Sequence, residues 1–436
     1  MRIVVIGLGK IGLPLAAHFA DRGNDVIGLD VNPQLVETVN AGREPFPGEA
    51  HLADHLARLV PTGRLRATTS YAEAVPQADA VIIVVPLVVD GEGRPDFGWM
   101  DAATEQLARH LTAGTLVSYE TTLPVGTTRS RWRPMLEAGS GLRAGRDFHV
   151  VFSPERVLTG RVFEDLRKYP KLIGALDESG AARARAFYEA VLDFDDRPDL
   201  ARPNGVWDLG SSEAAEMAKL AETTYRDVNI ALANQFARYS EQVGVDVYQV
   251  IEASNSQPYS HIHRPGIAVG GHCIPVYPRL YLAGDPDATV VRAAREANAA
   301  MPEHAVARLA ESYGGLDGAR VVVLGAAYRG GVKETAFSGV FATVAELERR
   351  GATVYVHDPL YSDEELRSLG FTPRNMAADG ETIDAAVVQT DHADYRDLSA
   401  DALPGVKVVV DGRNIVTSVP PGTRLVTIGK PHVEGA

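Results

Sequence analysis

The sequence predicts an α/β protein built from two Rossmann-like, doubly wound domains joined by a long central helix. Three observations predict it. Residues 2–6, Arg-Ile-Val-Val-Ile, form a β-branched run that enters Gly7-x-Gly9-x-x-Gly12 and then a helical pattern, the order that a dinucleotide-binding βα unit requires. In the last third, apolar runs at 320–325, 353–359, 385–390 and 406–411 are interleaved with a loop and a helical segment at 337–350, which reads as a second sheet with crossovers. Between the two, Ser211 to Val243 contains neither Pro nor Gly, and Ala214, Met217, Leu220, Ala221, Tyr225 and Val228 recur at helical spacing. A helix of that length exceeds the needs of one small domain and reads as a spine. The expected division is 1–200, 201–300 and 301–436.

In the first domain, Gly7 permits the tight turn, Gly9 admits a pyrophosphate to the backbone and Gly12 lets the helix pack on its strand. The amides of Lys10 and Ile11 stand at the helix N-terminus, where phosphate oxygens are held. A second strand, Asp-Val-Ile-Gly-Leu-Asp, ends at Asp30. A carboxylate there accepts hydrogen bonds from the adenosine ribose hydroxyls and repels a 2′-phosphate, so NAD is expected rather than NADP. Further strands are expected at 78–86, 115–122 and 148–152. They deliver Thr122, Glu155 and Arg156 to the carboxyl edge of the sheet, where open α/β sheets bind ligands. Thr122 fits a turn former as well as a ligand group. Glu155 fits an acid or base and Arg156 a phosphate or sugar contact, although a surface ion pair is the commoner fate of such a doublet.

The only cysteine, Cys273, lies in Arg264–Pro278, Arg-Pro-Gly-Ile-Ala-Val-Gly-Gly-His-Cys-Ile-Pro-Val-Tyr-Pro. Gly270 and Gly271 let a substrate approach the backbone, and Pro275 and Pro278 stiffen the chain beyond the thiol. That context suits a presented nucleophile better than a small buried hydrophobe. On the spine, Lys219, Glu222, Thr223 and Arg226 share one helix side. They form either a solvated charged stripe or a set that brings an ammonium to the thiol. The last third lacks Gly-x-Gly-x-x-Gly, so no second dinucleotide is expected; a nucleotide-sugar diphosphate fits better, with Arg329 and Arg413 as candidate phosphate contacts. A helical pattern at 287–314 links this part to the spine.

Composition bounds the function. With 436 residues, 45% hydrophobic, the chain can bury two or three cores. A formal charge of -14 argues against nonspecific nucleic-acid binding. One cysteine allows no intrachain disulfide and fits a reducing cytoplasm. No run of apolar residues is long enough to span a membrane. No metal is expected.

Seven blocks, Gly-Leu-Gly-Lys-Ile-Gly-Leu-Pro-Leu-Ala, Glu-Thr-Thr-Leu-Pro-Val-Gly-Thr-Thr, Ser-Pro-Glu-Arg-Val-Leu, the Glu-Met-Ala-Lys-Leu-Ala-Glu-Thr-Thr-Tyr-Arg helix, the thiol loop, Thr-Asp-His and Asp-Gly-Arg-Asn, together resemble the UDP-glucose/GDP-mannose dehydrogenase family, from residue 1 to about 420. The resemblance implies oxidation of the C6 hydroxyl of a nucleotide sugar to a carboxylate with two NAD, through an aldehyde and a cysteine thioester. It implies Cys273 as nucleophile, Lys219 as the active-site lysine, Thr122 as the threonine that positions water and Glu155 as the glutamate of the Ser-Pro-Glu block. Arg156 and Arg226 match sugar-nucleotide contacts, joined in that role by Thr223, Arg264 and Gly266. The Gly-Gly-His-Cys form resembles the 2-acetamido branch more than the UDP-glucose branch. The long central helix is also a plausible dimer surface, and a homodimer through it is expected. Departures stand at Tyr277 and Thr223, where the family has Asp and Asn, at Tyr259 and Ala336, where it has Arg, and at Val85–Val88. Two other readings are an epimerase or isomerase that retains NAD, and a catalytically impaired nucleotide-sugar-binding protein.

Overall fold

The computed structural model describes residues 1–90, 92–376 and 382–431, which divide into two compact units. The first comprises 1–222 with 279–284, the second 223–278 with 285–436.

The first unit is built on eight strands: β1 (Arg2–Ile6), β2 (Asp25–Leu29), β3 (Leu65–Thr68), β4 (Ala80–Ile83), β5 (Leu116–Tyr119), β6 (His149–Phe152), β7 (Lys171–Ala175) and β8 (Val206–Asp208). Their order is β8-β7-β6-β5-β4-β1-β2-β3, so β3-β2-β1-β4-β5-β6 is the dinucleotide-binding arrangement, extended at one edge. Every pair is parallel except β6 with β7. Strands β1 and β4 are buried almost throughout, as expected for a parallel sheet covered on both faces. The helix Gly12–Asp21 buries Leu13, Leu15, Ala16, Ala17, Phe19 and Ala20. The strand order reverses between β1 and β4, which opens a crevice at their carboxyl ends.

The second unit carries β9 (Arg320–Leu324), β10 (Thr353–His357), β11 (Ala385–Val388), β12 (Val408–Asp411) and β13 (Arg424–Thr427) in the order β10-β9-β11-β12-β13, all parallel. This too is a doubly wound order, with its switch point between β9 and β11. The Pro- and Gly-free stretch forms one helix, Ser212–Val243. Its residues from Thr223 onward belong to the second unit. There Asn234 Nδ2 donates to Asn298 Oδ1, and Arg295 pairs with the buried Asp227 at 2.6 Å.

Several expected elements have different bounds. The pattern at 287–314 is two helices, Thr289–Ala299 and Met301–Tyr313, because Pro302 lacks the N–H that a continuous helix would use and instead starts the second. The strand expected at 78–86 stops at Ile83, and that at 115–122 stops at Tyr119.

Candidate active site

The glycine loop turns where β1 ends. Gly7 has φ +92°, and its N–H donates to the Leu29 carbonyl at 2.8 Å. A Cβ on Gly12 would overlap the Gly7 carbonyl oxygen, whereas one on Gly9 would meet nothing within 4 Å. Helix and strand are therefore locked together at Gly12, and open space remains above Gly9. Ile11 is the N-cap of the helix and Lys10 is exposed beside it. Asp30 accepts the Leu8 N–H on Oδ2 at 2.8 Å and the Asn32 N–H on Oδ1 at 2.9 Å. An ionised carboxylate has about four acceptor positions, so each oxygen keeps capacity for a ribose hydroxyl. Loop and acid fit the pyrophosphate and adenosine ribose of NAD.

The corresponding acid of the second unit, Asp358 at the end of β10, is spent. Its Oδ2 accepts the N–H groups of Ala326 and Ala327 and faces His392 Nε2 at 3.2 Å, while Oδ1 accepts the Leu360 N–H. Asp358 and His392 are both buried. Asp358 therefore does not present both oxygens to a ribose as Asp30 does.

Beyond β5 lies a second feature of the first unit. Thr122 is buried, and the neighbouring Thr121 hydroxyl donates to the Val85 carbonyl. The adjoining loop, Gly126–Thr128, is held by Glu216 of the long helix. Its carboxylate accepts the N–H of Gly126 at 2.5 Å, the N–H of Thr128 at 2.9 Å and the Thr128 hydroxyl at 2.7 Å. Burial pushes the Glu216 carboxyl above its ordinary range, and these donors offset only part of that.

Glu155 and Arg156 are tied into a charged cluster rather than a surface pair. Glu155 Oε1 accepts the N–H of Arg156 at 2.6 Å and of Val157 at 3.1 Å, and Oε2 accepts Lys171 Nζ at 2.9 Å. Lys171 also donates to Glu120 Oε2 at 2.7 Å, and Glu120 Oε1 accepts the Tyr188 hydroxyl at 2.6 Å. Arg156 Nε donates to Glu222 at 2.8 Å, and Lys219 Nζ lies 4.0 Å from the other Glu222 oxygen. The Glu222 carboxylate thus stands between the buried Lys219 and Arg156. Burial works against charge on both acids. For Glu155 the Lys171 ammonium and two N–H donors outweigh it and hold the carboxyl below its ordinary range, whereas Glu120 is pushed up. Lys171 and Tyr188 lie outside the seven blocks quoted above, and Glu120 and Glu216 open two of those blocks without being singled out there as site residues.

In the second unit Cys273 is exposed. Its carbonyl accepts the N–H groups of Val276 and Tyr277 as the chain enters the helix Tyr277–Gly284. The two glycines before it are seated on the loop after β9: a Cβ on Gly270 would come 2.6 Å from Tyr328 Cβ, and one on Gly271 3.0 Å from the Tyr328 ring. Gly271 N–H donates to the Ala336 carbonyl at 2.9 Å, and His272 Nε2 lies 3.5 Å from Glu334. Gly266 N–H donates to Asn234, and a Cβ there would come 3.5 Å from Arg413 Nη1. Arg413 donates from Nε to the Gln389 carbonyl and from Nη2 to the Tyr328 carbonyl. Much of its guanidinium therefore braces strand ends, leaving Nη1 toward the Gly266 side. Arg329 is exposed over the Tyr328 ring, Arg226 and Arg264 are exposed, and Thr223 is buried. The second unit brings together Gly266, Arg413 and the thiol loop.

Residues 1–192 match the NAD-binding domain model of the UDP-glucose/GDP-mannose dehydrogenase family, 213–300 its central domain and 322–418 its UDP-binding domain. The chain is 35% identical to the UDP-N-acetyl-D-mannosamine dehydrogenase of Pyrococcus horikoshii, over 99% of this chain and 100% of that one. Among solved structures, a UDP-D-ManNAc dehydrogenase from Pyrococcus horikoshii superposes with TM-score 0.88 at 34% identity, covering 99% of this chain and 100% of the other. A UDP-glucose dehydrogenase from Pyrobaculum islandicum gives 0.85 at 28% identity, with 98% of each chain covered. Carrying all three family domains in order, with its dinucleotide fold and glycine loop at the N-terminus, the chain belongs to the UDP-glucose/GDP-mannose dehydrogenase family of NAD-dependent oxidoreductases.

Proposed function

We propose that this protein oxidises the C6 hydroxyl of a UDP-sugar to the uronic acid in two successive steps, with a UDP-N-acetylhexosamine as the favoured substrate and UDP-glucose as the second. The observation that carries the reading is the solitary thiol. Cys273 is exposed on a loop whose glycines lie against Tyr328, beside the sheet that matches the family's UDP-binding domain. The near full-length likeness to mannosamine-type dehydrogenases favours a 2-acetamido sugar. Fold alone does not choose the sugar, since a UDP-glucose enzyme superposes almost as well.

NAD, when bound, supplies the hydride acceptor for both oxidations. The Cys273 thiolate adds to the C6 aldehyde, giving a tetrahedral carbon that bears both a hydrogen and an alkoxide oxygen. Departure of that hydrogen as hydride to the acceptor lets the alkoxide collapse to a thioester. Water then attacks the acyl carbon, the C–S bond breaks with sulfur leaving as thiolate, and Glu155 takes the water proton. Lys219 supplies positive charge to thiolate and oxyanion, and Thr122 orients the water. Arg156, Thr223, Arg226, Arg264, Gly266, Arg329 and Arg413 are assigned to the sugar nucleotide. Residues 1–200, 201–300 and 301–436 then serve as cofactor, catalytic-helix and sugar-nucleotide domains, in a cytoplasmic enzyme. Among the described residues no helix is long and apolar enough to cross a membrane. We also assign a homodimer contact to the long helix, where Tyr225, Leu232 and Tyr239 stand exposed at seven-residue spacing.

The test is NADH formed per sugar consumed, with UDP-N-acetylmannosamine, UDP-N-acetylglucosamine and UDP-glucose, against a Cys273→Ser control. Two NADH per sugar, lost in the control, is the expected result. One would stop the reaction at the aldehyde and implicate Tyr277 and Thr223, and none with any of the three sugars would overturn the reading.

A further inference from the structure

We propose that Lys171 is the positioning residue for Glu155: its ammonium, anchored from behind by Glu120, fixes the carboxylate that receives the proton of the hydrolytic water. This rests on the reading of Glu155 as the base of thioester hydrolysis. Lys171 extends from β7, the strand antiparallel to its neighbour, and is buried. Its Nζ is held at 2.7 Å from Glu120 and 2.9 Å from Glu155, and it lies 5.0 Å from the centre of the Tyr188 ring. Tyr188 holds the far oxygen of Glu120 and is itself 2.7 Å from the Ser118 hydroxyl. The ammonium is thus held between two carboxylates and over one ring.

The arrangement prepares one oxygen of Glu155. Oε1 accepts two backbone N–H groups and Oε2 one ammonium proton. Of about four acceptor positions on a carboxylate, the one left is on Oε2. Glu155 also lines, with Lys171, Arg156, Tyr169 and Pro170, a cavity of about 10 Å³, close to the space that one water needs. The charged and titratable groups facing Glu155 come from several elements. Lys171 is on β7, Glu120 comes directly after β5 and Tyr188 is on the helix Glu178–Val191. Arg156 is adjacent in sequence, Glu222 and Lys219 are on the long helix, and Tyr169 and Asp165, the latter paired with Arg161 at 2.6 Å, lie across the cavity. Two acids share one buried ammonium, so removing either the ammonium or the second acid must move Glu155 in opposite directions.

The experiment uses the NAD-loaded, full-length enzyme and its UDP-sugar. Hydrolysis of the acyl enzyme is monitored by brief pH jumps, and the Cys273 adduct by intact-protein mass. Lys171→Met is expected to slow hydrolysis about tenfold or more, to accumulate acyl enzyme, and to move the acid limb up by about one pH unit or more. Glu120→Gln is expected to move the limb down, because Lys171 then serves Glu155 alone. A purely structural role would lower the melting temperature and leave both limbs in place, which overturns the proposal. Should Lys171→Met fail to fold, Glu120→Gln decides, and a limb unmoved or raised there is a refutation. Glu155→Gln separates the two levels of inference. Hydrolysis at the wild-type rate in that variant sinks the base reading itself. Accumulated acyl enzyme there, with unmoved limbs in the other two variants, sinks only the positioning role.

Discussion

Glu216 offers the sharpest test of how the first unit is held together. It is fully buried and accepts two backbone N–H groups and one hydroxyl from a single short segment, Gly126–Thr128. Replacing it by Ala orphans the buried Thr128 N–H and the part-buried Gly126 N–H, at about 1–3 kcal/mol each with the second toward the low end. Part of that is returned, because the burial that raises the carboxyl's pKa is itself a cost that the variant no longer carries. The net expectation is a loss of about 2–4 kcal/mol. Glu216→Gln keeps Oε1 for both Thr128 donors but turns an amide donor toward the Gly126 N–H, so it should lose roughly half as much. Urea unfolding gives the size of the effect, and hydrogen exchange gives its location. Amides of Gly126 and Thr128 should exchange markedly faster in the Ala variant. Unchanged exchange there, or a loss below about 1 kcal/mol, would show that the carboxylate is not what holds the Thr122 loop.

Gly12→Ala must displace the Gly7 carbonyl, so NAD affinity measured by fluorescence titration should fall by tenfold or more, on the order of 1.4 kcal/mol, while Gly9→Ala, which meets nothing, should leave the apo fold intact. The His18 Nε2 is enclosed and unpartnered, and burial holds the pKa of the ring down at about 4 against 6.5. Its folded pKa is depressed, so the unfolded chain binds the extra proton and stability falls as pH drops from about 6.5 toward 4, by about 2 kcal/mol at pH 5. Melting curves of His18→Leu should therefore lose less between pH 7.5 and 5 than those of the native chain, and equal losses would count against it. If the long helix carries the subunit contact, Leu232→Glu with Tyr239→Glu should sediment as a monomer where the native chain sediments as a dimer.

The features legible in the sequence are those encoded locally. The turn at Gly7, the close contact at Gly12 and the acid at Asp30 fall within one βα unit, where spacing and geometry are nearly the same statement. The helix Ser212–Val243 was legible because nothing in it breaks a helix. Pro302, by contrast, divides a pattern whose apolar period runs on across it. The Glu155 cluster was only half visible. Glu155 and Arg156 stand at a strand end and Glu120 opens a quoted block just beyond another, but Lys171 and Tyr188 look like ordinary strand and helix residues, and nothing in the sequence pairs the three. Their partnership exists only because β7 runs antiparallel beside β6, and no period in the sequence announces that. Arg413 reads as a phosphate ligand from its loop position, yet two of its donor atoms reach main-chain carbonyls, a use that residue type alone does not reveal.

The two acids that end β2 and β10 occupy matching places in their sheets, but only Asp30 keeps an acceptor position on both oxygens for an incoming diol. Asp358 is buried, with Oδ2 taken by two loop amides and His392 and Oδ1 by the Leu360 N–H, so an adenosine ribose arriving at the second sheet meets no carboxylate edge open to both of its hydroxyls. With Asp358 buried among those donors, raising NAD is expected to fill the first sheet alone, and a titration of the full-length chain that finds a single NAD site would bear this out.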